Sequence, residues 1–203
     1  MEYASDVAFT ESVKAIQTER GSRAAYARME RTRGGFASAI TAEAAAYIEE
    51  RDSAYFATAN LQGQPYVQHR GGARGFLQVL DEKTIAFADF VGNKQYITTG
   101  NLADNPRAFM FLMDYAAGQR LKLWGRAETS QDAELLARLS PPGARVEQAI
   151  VFHVEALDWN CPQHIPALVH VEVVEAKVRA LEARIAELEA ELHAARAGAG
   201  PTT

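Results

Sequence analysis

The chain has 203 residues, 48% hydrophobic and 23% charged, with 21 Lys and Arg against 26 Asp and Glu for a formal net charge of −5. That length suits one domain with an appendage, and the apolar share is enough to bury a core, which excludes a globally disordered chain. A net-acidic sequence without a basic run lacks the electrostatic footprint of a nucleic-acid binder, and no apolar stretch approaches the roughly 20 residues that span a bilayer.

The start, Met1-Glu2-Tyr3-Ala4-Ser5-Asp6, has neither the basic flank nor the apolar segment of a secretory signal, so a soluble, cytoplasmic protein is expected. Residues 1–52 read as a helical extension, in which Val7, Val13, Ile16 and Tyr26 sit among mixed charges. Thr41 is placed to cap an alanine-rich helix from Ala42 to Arg51. Alanine favours the helix but buries little area, so this extension is expected to pack on something larger.

Residues 53–169 change to short strands. Tyr55–Ala59 and Pro65–Arg70 flank the turn Asn60-Leu61-Gln62-Gly63-Gln64, and Gly75–Leu80 and Thr84–Ala88 flank Asp81-Glu82-Lys83. A helix is predicted over Lys94–Ala103, stopping before Asn105-Pro106. Strands Arg107–Asp114 and Arg120–Glu128, a helix capped by Ser130 and running through Leu139, and a strand Glu147–Leu157 complete the region. Six or seven short strands with few helices predict a mainly β, α+β fold of the small barrel or sandwich type.

Residues 170–197 carry a different periodicity, followed by a frayed tail at 198–203. Val171, Val174, Val178, Leu181, Ile185, Leu188 and Leu192 are spaced alternately by three and four, an unbroken heptad seam with Val171, Val178, Ile185 and Leu192 at a. β-Branched residues at a with leucine at d favour a parallel two-stranded coil. Lys177 and Arg184 fall at g and Glu182 and Glu189 at e, so pairs between two chains would attract. The alternative is a single amphipathic helix docked on its own barrel, which calls for a wider apolar stripe than two positions in seven.

Four segments hold residues able to carry chemistry. Gly92-Asn93-Lys94-Gln95 stands between a strand and a predicted helix start, where unpaired N–H groups and the Lys94 cation suit a phosphate, although such turns are also common as solvated helix starts. Strict alternation in Arg120-Leu121-Lys122-Leu123-Trp124 puts two cations and an indole on one strand face, as an ordinary exposed face or as a grip for an anionic aromatic ligand. His69-Arg70-Gly71-Gly72-Ala73-Arg74-Gly75 sets glycines beside cations, permitting close approach to a ligand or another strand. Asp158-Trp159-Asn160-Cys161-Pro162-Gln163-His164 is dense in polar and aromatic groups, each of which also has a plain packing role. The lone cysteine, Cys161, can form no disulfide within the chain, and the scattered histidines give no zinc-binding spacing.

Taken in order, Tyr55 to Glu128 followed by Asp158–His164 resembles the pyridoxamine 5′-phosphate oxidase-like FMN-binding split-barrel family. The motifs that carry the likeness are Phe90-Val91-Gly92-Asn93-Lys94-Gln95, Asn101-Leu102-Ala103-Asp104-Asn105-Pro106-Arg107, Leu121 to Glu128, and the Trp159-to-His164 segment. The resemblance implies a six-stranded split barrel that forms a homodimer with two FMN sites between subunits. It implies that Asn93 and Lys94 belong to the phosphate loop, with Gln95 beside them as a further cofactor-binding candidate, and that His69, Arg70 and Gly71 run along the isoalloxazine edge. Arg120 then falls near the flavin pyrimidine, with Lys122 on the same strand face as a further cofactor-binding candidate, and Trp159 and His164 approach the ring from the C-terminal part. The implied function is oxidoreduction of a small organic substrate, with NAD(P)H a candidate donor. A non-catalytic flavin sensor or carrier, or a barrel holding haem or a deazaflavin, stands as the alternative. Two departures separate the chain from the oxidases proper. It has Arg70-Gly71-Gly72-Ala73-Arg74 where they carry Arg-x-x-Leu-Leu-Lys, and Ser130–Arg138 lacks their substrate-phosphate tyrosine and the serine that trails it along the helix.

Overall fold

The structure is a computed structural model that describes residues 2–159 and 163–198. Expectations for Cys161 and for all of the tail but Gly198 therefore lie outside the described residues.

A short 3₁₀ turn, Ala4–Val7, precedes α1 (Glu11–Glu19), α2 (Arg23–Arg33) and α3 (Ala42–Glu49). The Thr41 hydroxyl accepts from the Ala44 N–H as the sequence predicts, but α3 ends two residues short of Arg51, in a last turn closed by the Arg51 N–H to the Ile48 carbonyl. Ala44 and Ile48 are fully buried. The extension packs on the barrel, as its alanine content suggests. Phe36 stacks on Trp124 with centroids 5.4 Å apart, and Ala37 forms a bridge to Leu157. Beneath it Glu30, only 2% exposed, accepts from Ser5 Oγ at 3.2 Å and pairs with Arg23.

Seven strands follow: β1 (Ser53–Ala59), β2 (Pro65–Gly71), β3 (Gln78–Asp81), β4 (Thr84–Phe90), β5 (Arg107–Asp114), β6 (Gln119–Ser130) and β7 (Val146–Trp159). They form one antiparallel sheet in the order β2-β1-β5-β6-β7-β4-β3, one strand more than the six of the family barrel. The alternating pattern of β6 is realised, with Leu121 and Leu123 fully buried and Arg120, Lys122 and Trp124 on the opposite face. Phe56, Phe87 and Phe152 meet edge to face in the core, the first pair at 5.6 Å and Phe56 with Phe152 at 6.0 Å.

Two predicted helix starts move. α4 spans Ile97–Asp104 rather than beginning at Lys94, because Lys94 and Tyr96 take left-handed backbone angles, φ 59° and 52°. α5 spans Ala133–Leu139 and is capped by Asp132, whose carboxylate accepts from the Leu135 N–H; Ser130 instead receives the Asp132 N–H. The last helix, α6, covers Val171–Gly198, and every residue from Val171 to Arg196 is exposed, so it is not docked on its own barrel. None of the helices among the described residues is long and apolar enough to cross a membrane.

The β6–β7 ladder shifts register between Trp124 and Gly125, and a Cβ added at Gly125 would lie 2.0 Å from the His153 carbonyl oxygen. Gly125→Ala should therefore lower the unfolding free energy by about 1–3 kcal/mol, the range for overpacking a tight contact. Chemical denaturation checks this; unchanged stability would show that β7 yields at that point.

Candidate functional site

The sheet order sets four strands between β2 and β4, yet the two meet. The Arg70 guanidinium on β2 pairs with the Asp89 carboxylate on β4, and both side chains are largely buried. Gln148 on β7 donates its amide to Asp89 at 3.0 Å and to Thr99 Oγ1 at 2.8 Å, so the ion pair is tied to the start of α4. Thr98 Oγ1 donates to Gln68 Oε1 at 2.9 Å and ties α4 to β2 as well. The barrel is thus split in its backbone pairing and bridged by side chains.

A cavity of about 240 Å³ opens at this split. Tyr66, Gln68 and Arg70 line it from β2, Asp89 and Phe90 from β4, Glu147 from β7, and Gly92 to Thr99 from the loop and first turn of α4. Asn93 Oδ1 accepts from the Gln95 N–H at 3.2 Å and shapes the loop. Left-handed Lys94 and Tyr96 each cost on the order of 1–2 kcal/mol, a local strain of the kind that collects at binding sites. Tyr96 is the N-cap of α4 and its side chain makes no capping hydrogen bond, so among the described residues the first-turn N–H groups of Ile97, Thr98 and Thr99, which line the cavity, are left uncapped.

The charges are mixed. Arg70 and Lys94 are set against Asp89 and Glu147. Asp89 is occupied by Arg70 and Gln148, and Glu147 accepts the Tyr96 phenol at 2.7 Å, a bond that raises the Tyr96 pKa. Lys94 makes no ion pair among the described residues, and the buried Arg70 Nε has no acceptor there. Two cationic donors and an uncapped helix start fit a phosphate. The volume falls below the roughly 300–1,000 Å³ of sites that enclose a whole ligand, so the cavity suits a phosphate and its chain rather than a tricyclic ring.

Of the residues singled out from sequence, Arg70, Asn93, Lys94 and Gln95 come together here. His69 does not, because strand alternation turns it to the outer face of β2, where it packs edge-on against Tyr55 at 5.8 Å. Gly71 ends β2 opposite Ser53, where a Cβ would approach His69 Cε1 to 3.1 Å. Lys122 pairs with Asp158 at 2.9 Å and lies over the Trp124 ring, which Phe36 covers. Arg120 lies outside the cavity with its buried Nε unpartnered among the described residues. Trp159 packs edge-on against Tyr47 at 4.8 Å, and His164 is exposed with φ 63°.

Sequence reasoning missed Tyr66, Gln68, Asp89, Tyr96, Thr98, Thr99 and Glu147. Alternation from Arg70 was the signal that would have found Tyr66 and Gln68; contacts from β7 carry no local signal. The Asn101 and Asn105 motif residues prove to be anchors. Asn101 Nδ2 donates to Thr58 Oγ1 at 3.0 Å and Asn105 Nδ2 to the Ala59 carbonyl at 3.1 Å, fixing α4 on β1. A larger cavity, about 300 Å³, lies beside Arg51 and Asp114, but these two already pair at 2.7 Å.

Asp89→Asn should destabilise the chain by about 1–3 kcal/mol, since it leaves the Arg70 guanidinium without its counter-charge. Hydrogen exchange should quicken across β2 in that variant; an unchanged β2 would show that the ion pair does not hold the split.

No curated protein matches the chain in sequence. Among solved structures, HupZ of Group A Streptococcus superposes with a TM-score of 0.50 at 19% identity, covering 64% of this chain and 99% of that one. An FMN-binding protein from Syntrophomonas wolfei subsp. wolfei gives 0.44 at 14% identity, over 75% of this chain and 99% of the other. A Clostridium acetobutylicum protein related to general stress protein 26 of B. subtilis, of the pyridoxinephosphate oxidase family, gives 0.45 at 15% identity, over 62% and 89%. The first shows a shared fold. The pattern described as pyridoxamine 5′-phosphate oxidase matches residues 40–190, well over half of the sequence, and the chain belongs to that family.

Proposed function

We propose that this chain binds FMN with the phosphate in the cavity at the barrel split, and that it is an oxidoreductase acting on a small organic substrate. The observation that carries the reading is the convergence of Arg70, Lys94 and the uncapped start of α4 on one cavity. Family membership and a structural relative named as FMN-binding support it.

Lys94 and the N–H groups of Ile97 to Thr99 would hold the phosphate, with Arg70 donating from β2. The cavity is too small for the ring, which would lie outside it, in a groove completed by a second copy of the chain. His69, Gly71, Arg120, Lys122, Trp159 and His164, all outside the cavity, are the proposed ring-side residues in that homodimer. Bound FMN supplies the hydride and electron chemistry itself. The chain's part is to fix the flavin, and a cation such as Arg120 would favour charge gained by the ring on reduction. NAD(P)H is the proposed donor. Pyridoxamine phosphate is not the proposed substrate. The helix that would need a tyrosine and a serine has neither, and its Arg138 is spent on Gln78, donating to Oε1 at 2.7 Å.

Titrating the protein with FMN and with riboflavin tests the phosphate assignment. FMN should bind at least about tenfold more tightly, and Lys94→Ala should remove about that factor for FMN alone, as expected when one charge-assisted hydrogen bond is lost. Equal affinities for the two flavins would overturn the assignment. Bound FMN should then be bleached by NAD(P)H in stopped flow; a flavin that every donor leaves oxidised would make the chain a carrier or sensor.

A further inference from the structure

The heptad helix has no role in the cavity, yet it is the least accommodated element in the molecule. α6 runs for 28 residues, and a helix in a protein draws most of its stability from packing an apolar face. Here no face is packed. Val171, Val174, Val178, Leu181, Ile185, Leu188 and Leu192 are each between 45% and 60% exposed. Docking on the barrel, the competing reading of the same pattern, is not what the chain does.

We propose that α6 pairs with α6 of a second copy of this chain as a parallel, in-register, two-stranded coil. Charge selects both the occupant and the orientation. In a parallel pair each g residue faces the e residue five positions further on in the partner helix. Lys177 would face Glu182 of the second copy, Arg184 would face Glu189, and Glu191 would face Arg196. All three pairs are opposite in sign, and the last reverses polarity, so one uniformly charged partner could not satisfy them. An antiparallel pair sets e against e, which brings Glu175, Glu182 and Glu189 against one another. Within one chain Arg184 already reaches Glu187 at 2.8 Å and Glu191 at 3.7 Å, exposed contacts worth little that it can exchange for the partner's Glu189. Alanine at Ala176, Ala183 and Ala190 marks the outer face, opposite the seam. Because the coil begins at Val171, directly after the barrel region, a parallel arrangement holds both barrels at the same end of the rod.

This inference does not depend on the flavin reading, and its test reads the seam itself, since two barrels could associate without it. In the full chain with Cys161→Ser, which removes the sole native thiol, Val174→Cys and Leu188→Cys are made separately. Under mild oxidation each should run mostly as a covalent dimer, because a d residue meets its own copy only in a parallel, in-register coil. Ala183→Cys, on the outer face, should stay uncrosslinked. Failure of both d variants to crosslink, crosslinking only when the two are mixed, or equal crosslinking at Ala183→Cys would each overturn the proposal. Circular dichroism of Leu181→Glu gives a second reading. Helical signal should fall if the seam is what sustains α6, and an unchanged signal would contradict it.

Discussion

Strands β2 and β4 are separated by four other strands in the sheet, yet the Arg70–Asp89 ion pair brings them together. A backbone ladder there would have sealed the barrel and left no cleft. Side chains bridge it instead, and a bridge of side chains leaves room between its members. The pair is costly to break from one side, because either partner alone would be a largely buried charge. Gln148 extends the constraint to Thr99, and Thr98 extends it to Gln68, so the position of α4 and the closure of the split are set by one network. The phosphate-sized cavity is what remains between these ties.

That network explains how a modest motif divides its labour. Asn101 and Asn105 look as chemical as Asn93 in the sequence, but both are consumed in holding α4 to β1. Asn93 and Lys94, a few positions earlier, are left on the cavity wall by a loop whose left-handed residues keep the helix from starting sooner. Anchored helix and strained loop together give first-turn N–H groups with no acceptor among the described residues. Such groups cost least when something anionic meets them.

Much of the fold was legible because its signals are local. Alternation fixed the faces of β6, the Thr41 cap marked α3, and heptad spacing marked α6. The site was legible only in part. Arg70, Asn93, Lys94 and Gln95 could be named from strand-end and loop patterns, whereas Glu147 and Gln148 enter through tertiary pairing with no trace in neighbouring residues. The delayed start of α4 was hidden because nothing in Lys94-Gln95-Tyr96 requires left-handed angles. His69 beside Arg70 shows the limit of reading a motif as a unit, since adjacent strand residues face opposite ways. Arg120, Lys122 and Trp124 share a face as expected, but Trp124 is taken up by stacking on Phe36, a contact set far away in the sequence.

The most direct measurement is the visible absorption spectrum of the purified protein, followed by mass identification of whatever heat releases from it. The account predicts flavin bands and release of FMN rather than the unphosphorylated flavin, close to one per chain. A colourless protein that leaves the spectrum of added FMN unaltered would contradict it.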